Sequence, residues 1–246
     1  MSDLSAPCCN PRAGATRLRI TLLFLAVSLA SPVGGQTNQS RARAIMGKSF
    51  LGPEEVEKHF GVRFTEAERE RVRDIPYSQA TLRACKDSHI LFLGIERDDR
   101  DKTLTICRLR EMFPSSGQPC FQSYPKASER EEDYRDRQTP QLRWYLIARD
   151  LREESRSKPY WEQKLLFKEN EYRERAVVYV YMMLLMFKAR GERLFEKDVM
   201  LTEDVGSDGA PVVAGYFSSE GIYVSDWWLR ENSQFGIAPA RKPDFP

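Results

Sequence analysis

The strongest feature in the pattern of apolar and polar positions is "AVVYVYMMLLMF", twelve uninterrupted apolar residues from Ala176 to Phe187, set between "RER" and "KARG". As a helix, twelve residues rise about 18 Å, too little to cross a bilayer. Cations in the last turn and Gly191 just beyond are helix-ending signals. A helix that is apolar on every side has to be buried on every side. The pattern therefore predicts a central core helix near 174–190.

Weaker patterns surround it. "LGPEEVEKHFG" predicts a short helix, with Pro53 at the first position, Glu54 and Glu55 in the first turn and Gly61 at the exit. Val56 and Phe60 give it one apolar face. "FTEAERERVRDIP" predicts a second helix, with Thr65 and Glu68 spaced as a capping box and Pro76 as the stop. A third begins near Ser78. "HILFLGI" (89–95), "TLTICRL" (103–109) and "RWYLIAR" (143–149) predict strands. "YWEQKLLFKENE" predicts a helix with Trp161 and Leu165 along one side. "RLFEKDVMLTED", "APVVAGYF" and "GIYVSDWW" predict a C-terminal antiparallel meander, turned at Asp208-Gly209 and Glu220-Gly221. The expected fold is α+β: a mainly antiparallel sheet built from all these strands, packed against helices from the N-terminal third and from 158–190. The stretch 114–140 is expected to be a mobile surface loop, and the tail "FGIAPARKPDFP", with its three prolines, to lie along the surface.

Residues 4–44 carry no acidic side chain, and "ITLLFLAVSLA" from Ile20 to Ala30 follows Arg12, Arg17 and Arg19. Basic segment, short apolar core and the small residues of "SPVGGQ" follow the layout of a secretory signal. In the rival reading, translation begins at Met46 with "MGKSFLGPEEVEKHF". The first reading implies an exported protein and the second a cytoplasmic one. In both, residues 1–45 form a leader outside a single domain at 46–246.

A composition of 41% hydrophobic and 30% charged residues is that of a globular domain, and a net charge of +2 gives no field that calls for nucleic acid or an anionic membrane. Beyond the leader stand Cys85, Cys107 and Cys120, at most one disulfide's worth, between Cys107 and Cys120.

Cys85 and His89 are the first candidate site. Cysteine with histidine makes a nucleophile–base pair, or with Cys107 and Cys120 a zinc ligand set. The simpler account is a helix handing over to a buried strand. Trp144, Trp161, Trp227 and Trp228 are candidates for lining a groove for flat ligands, with "DWW" the best exposed patch. Arg241 and Lys242 are candidates for holding an anion. The two helices joined at Gly61 suit a helix-turn-helix, but Glu66, Glu68 and Glu70 balance Arg69, Arg71 and Arg73 on the second. No dinucleotide, Walker A, zinc-protease, nucleophile-elbow or EF-hand motif occurs, so no cofactor or metal is expected.

In combination, "FLGPEEVEKHFGVRFTEAERERVRDIPYSQATLRACKDSHILFLG", "WYLIARD", "WEQKLLFKENE", "VVYVYMMLLMFKARGERLFE" and "GIAPARK" resemble a group of uncharacterised bacterial proteins, from about Ser49 to Lys242. The resemblance implies one domain of unknown function, favours the start at Met46 and carries over no functional residue. The expectation is a binding or interaction module. A hydrolase-like enzyme around His89 is the alternative, and DNA binding through the N-terminal helices a second one.

Overall fold

The computed structural model describes residues 37–122, 132–226 and 235–245. In chain order they form β1 (Thr37–Asn38), α1 (Gln39–Met46), β2 (Phe50–Leu51), α2 (Pro53–Phe60), α3 (Glu66–Arg71), β3 (Asp74–Ile75), α4 (Gln79–Cys85) and β4 (His89–Leu93). Then come α5 (Ile106–Met112), α6 (Asp133–Asp136), β5 (Trp144–Ala148), α7 (Tyr160–Lys164), β6 (Glu171–Tyr172) and α8 (Ala176–Arg190). The chain closes with β7 (Val199–Val205), β8 (Pro211–Ser218), β9 (Gly221–Asp226), β10 (Phe235–Gly236) and β11 (Ala240–Arg241).

Local signals act where the sequence places them. Thr65 accepts from Glu68 N at 3.3 Å while Glu68 returns a 2.8 Å bond to Thr65 N, closing the capping box of α3. Gly61 and Gly191 both end their helices in the left-handed region, where a residue without Cβ is favoured. Every residue of α8 from Ala176 to Met186 is buried.

α8 is the middle of three layers. On one side lies a five-stranded sheet in the order β2-β4-β5-β11-β6, parallel between β2 and β4 and antiparallel elsewhere. Phe92 stacks on its cross-strand partner Tyr145 with centroids 5.2 Å apart, and both share the sheet face that meets Tyr181 of α8. Tyr181 donates to Leu93 O at 3.0 Å and Tyr179 to Ala238 O at 2.6 Å, so the hydroxyls buried on α8 are satisfied. The opposite sheet face carries Trp144, whose indole N–H donates to Val72 O at 2.9 Å. On the other side of α8 lies a four-stranded sheet, β10-β7-β8-β9. Phe217 meets Phe187 across this second interface, at 5.4 Å. The outer face of that sheet has a satellite core of Val199, Leu201, Val213 and Phe235, against which Tyr160 of α7 packs.

Several expectations are corrected. The strands make two main sheets, because α8 buries apolar side chains in both directions and needs a sheet on each flank. Residues 103–109 are not a strand: Thr105 accepts from Arg108 N at 3.1 Å and starts α5, burying Ile106 and Leu109 three apart. The domain boundary at 45/46 runs through α1, whose Ala42 and Met46 are buried; β1 pairs with β3. The tail is inside: Ile237, Ala238 and Ala240 are buried and β11 lies between β5 and β6. Its prolines cost no ladder bond there, since the carbonyls of Pro239 and Ile237 are the groups used, accepting from Ala148 N and Arg152 N. In the expected surface loop, Phe121 bridges to Ile222 and buried Glu132 accepts from Ser207 at 2.7 Å. Residues 123–131 of that loop, and the apolar core of the leader, lie outside the described residues. Among the described residues no helix is long and apolar enough to cross a membrane.

Candidate ligand-binding site

α7 is a five-residue helix with an unusual anchor. Gln163 is buried and donates from Nε2 to Ser155 O and Lys158 O, both at 3.1 Å, pinning the helix to the preceding loop. Tyr160 turns inward to the satellite core. Trp161 and Leu165 stay 65% and 78% exposed, which corrects the expectation that this pair forms the helix's packed side. The loop after α7 is fastened by Glu171, which accepts from Lys168 N at 3.0 Å and from Arg152 at 2.7 Å. Salt-bridging and the Lys168 amide hold its carboxyl below the usual range against the opposing effect of burial.

Arg173 follows at once. It is only 7% exposed, with its guanidinium carbon 4.1 Å from the Tyr160 ring centroid and 5.5 Å from that of Phe167. Its Nε and Nη2 are shut off from solvent and have no hydrogen-bond partner among the described residues. A guanidinium keeps its charge at any physiological pH. Two aromatic faces contribute about 2 kcal/mol or more once desolvated, whereas an unpaired buried ion costs several kcal/mol. Arg173 borders a cavity of about 250 Å³ lined also by Tyr160, Lys164, Phe167, Glu171, Tyr172 and Glu203 of β7. The arrangement sets a guanidinium with unsatisfied donors beside a cavity with aromatic walls.

The residues singled out from sequence fare differently. Cys85 ends α4 and His89 opens β4, joined by a turn in which Ser88 N donates to Cys85 O at 3.1 Å. No hydrogen bond links the two side chains. His89 Nδ1 shares a 2.8 Å bond with Ser88 Oγ, while Nε2 is buried without a partner among the described residues. Burial, then the positive charge of Arg241, pushes the imidazole down to about 4, and burial raises the Cys85 thiol. A base that weak and a thiol that protonated are mismatched to catalysis near neutrality. Cys107 donates instead to Asp136 Oδ1 at 2.8 Å, Cys120 lies against Glu220 O, and Cys85, Cys107 and Cys120 are free; the one pairing the sequence left open, Cys107 with Cys120, is not formed. Among the described residues no group of three or more histidine, cysteine or acidic side chains is placed to hold a metal.

Arg241 lies in β11 with Nε buried, on the same sheet face as His89; Lys242 donates from Nζ to Glu169 O at 2.9 Å. The two basic side chains are thus spent separately on the fold's interior and on a loop. Trp227 and Trp228 lie outside the described residues. Trp144 is core. Other cavities border described residues. One of about 470 Å³, between Arg63 and Asp99, has mixed-charge walls. One of about 310 Å³ contains Glu174, which Arg143, Tyr172 and Arg175 N already satisfy. None of the three cavities reaches His89 or Cys85.

Sequence reasoning missed Arg173. The only signal was the density of aromatic residues, Tyr160, Trp161, Phe167 and Tyr172, alternating with cations after Pro159. No protein-family model, curated protein or solved structure matches the chain.

Proposed function

We propose that the protein is a non-enzymatic binding module and that the cavity beside α7 is its binding site. One observation carries this reading: Arg173, buried and with two nitrogens lacking a hydrogen-bond partner among the described residues, borders a cavity walled by aromatic side chains. A charge left without a counter-ion in the free protein is compensated when a ligand supplies one. His89 and Cys85, the best material for the hydrolase alternative, border none of the three cavities described above, and burial disfavours both the imidazolium and the thiolate.

The test is a thermal-shift screen with neutral, cationic and anionic small organic molecules. A ligand that binds the folded state alone raises Tm, by an amount equivalent to about 2.7 kcal/mol at a hundred times Kd. At least one compound is expected to raise Tm, to lose that effect in Phe167→Trp, which fills the cavity, and to be recovered chemically unchanged. Conversion of the compound would make the protein an enzyme. A shift that persists in Phe167→Trp would place the site elsewhere.

A further inference from the structure

We infer that the occupant of the α7 cavity is a monocarboxylate on a small, flat, apolar body. This deepens the binding-module reading and rests on it. Three features of the cavity select that chemistry.

The first is the form of the donor. With the rings of Tyr160 and Phe167 against the guanidinium, its N–H edge is the part left for a ligand. Nε and Nη2, neighbours on one edge of the guanidinium, are both without a partner among the described residues and closed to solvent in the free protein, so a ligand that takes this edge displaces what covers it. The planar fork of a guanidinium matches the two oxygens of a carboxylate.

The second is charge. Glu171 is already held by Arg152 and by Lys168 N. That leaves Lys164 and Arg173 against Glu203 on the cavity wall, two cations against one carboxylate. The imbalance suits a monoanion and disfavours the dianion of a phosphate monoester.

The third is size and lining. A cavity of about 250 Å³ is smaller than the roughly 300 Å³ at which sites for drug-sized ligands begin. Tyr160, Phe167 and Tyr172 offer ring surface to an apolar body. A free aromatic acid and the C-terminal residue of a chain share this chemistry.

The experiment is isothermal titration of the full-length protein with phenylacetate, its neutral isostere phenylacetamide, inorganic phosphate and N-acetyl-Ala-Phe with a free C-terminus. Phenylacetate is expected to bind with Kd of about 1 mM or tighter, the scale for a ligand of this size. Phenylacetamide and phosphate are expected to bind at least about tenfold more weakly. Arg173→Lys, which keeps the charge and loses the fork, should weaken phenylacetate about tenfold, and Arg173→Met should abolish binding. Because Arg173→Met removes an uncompensated buried charge, its ligand-free Tm should not fall below the parent's. Should Arg173→Met not fold, the lysine variant carries the comparison. Tighter binding of the dipeptide than of phenylacetate supports the carboxylate and names a chain end as its source; the reverse supports a free acid.

Equal binding of acid and amide would overturn the carboxylate while leaving the binding site in place. Preference for phosphate would do the same. No heat from any probe at about 10 mM would overturn the inference, and the wider Phe167→Trp screen then decides separately whether the cavity binds anything.

Discussion

His89 is the residue whose environment speaks most directly to a measurement. The charged groups that act on it come from four other parts of the fold: Arg241 of β11, Glu171 of β6, Arg152 from the segment before α7 and Lys168 from the loop after it. Burial dominates, and the folded protein holds the imidazole neutral down to about pH 4, against 6.5 for the free side chain. Between those values the unfolded chain binds a proton that the folded chain refuses. Stability from this group is therefore complete above pH 6.5 and falls as the pH drops toward 4, by on the order of 3 kcal/mol in all. Glu55 and Glu171, whose folded values lie below 4.5, lose their contribution only in more acid solution. Urea unfolding from pH 7 to 4.5 should show the decline in the parent and a shallower profile in His89→Gln, where His59, also lowered by burial, still contributes. Equal slopes in the two would mean that the imidazole is reached by water. At the same scale, the Cys85–His89 spacing that first suggested chemistry is explained by a helix ending and a strand beginning.

Among elements, α1 has the largest consequence for how the chain is delimited. Its Arg43 donates to Glu55 at 2.6 Å, and Arg190 at the end of α8 donates to the same carboxylate at 3.2 Å. Glu55 also accepts from Gly52 N at 2.9 Å, so this one side chain joins α1, the start of α2 and the end of α8. A chain starting at Met46 loses β1, α1 and the Arg43 bond, and uncovers whatever Ala42 shields. Losing a charged partner of a buried carboxylate costs about 1–3 kcal/mol, and each kcal/mol lowers Tm by about 2–4 °C at this size. Chains starting at residues 37 and 46 should therefore differ in Tm by about 5 °C, measured by circular dichroism. Equal values would show α1 to be an ornament. α2 and α3 argue against the DNA reading on their own terms. α3 buries no side chain, and its Arg69 pairs with Glu57; just past its end, Arg73 pairs with Glu70. With those cations engaged, the protein should pass through a DNA column at about 150 mM salt. Retention that Arg69→Ala abolishes would reverse that view.

At the scale of the molecule, α8 lies between two sheets and α7 rides on the outer face of the second. The candidate site is formed where α7, the loop leading to β6, and β7 converge. The predicted ligand dependence on Arg173 belongs here, because the cavity has no wall that a single element supplies. Whatever depends on neighbours along the chain could be read from the residues alone. The length and burial of α8 follow from twelve apolar residues with a glycine exit, α3 from its capping box, and the meander from its glycine turns. Period alone could not separate helix from strand in seven residues at 103–109, where Thr105 as a cap outweighed alternation. That the proline-bearing tail enters a sheet comes from the fold alone, since β11 depends on partners in β5 and β6 that lie far away in sequence. The fold, too, leaves Arg173 Nε and Nη2 without a partner among the described residues. Carboxylates lie close to Arg173 in the chain at Glu169, Glu171 and Glu174. Folding aims Glu171 at Arg152 and Glu174 at Arg143, so charge balance in sequence becomes a vacant cation in space.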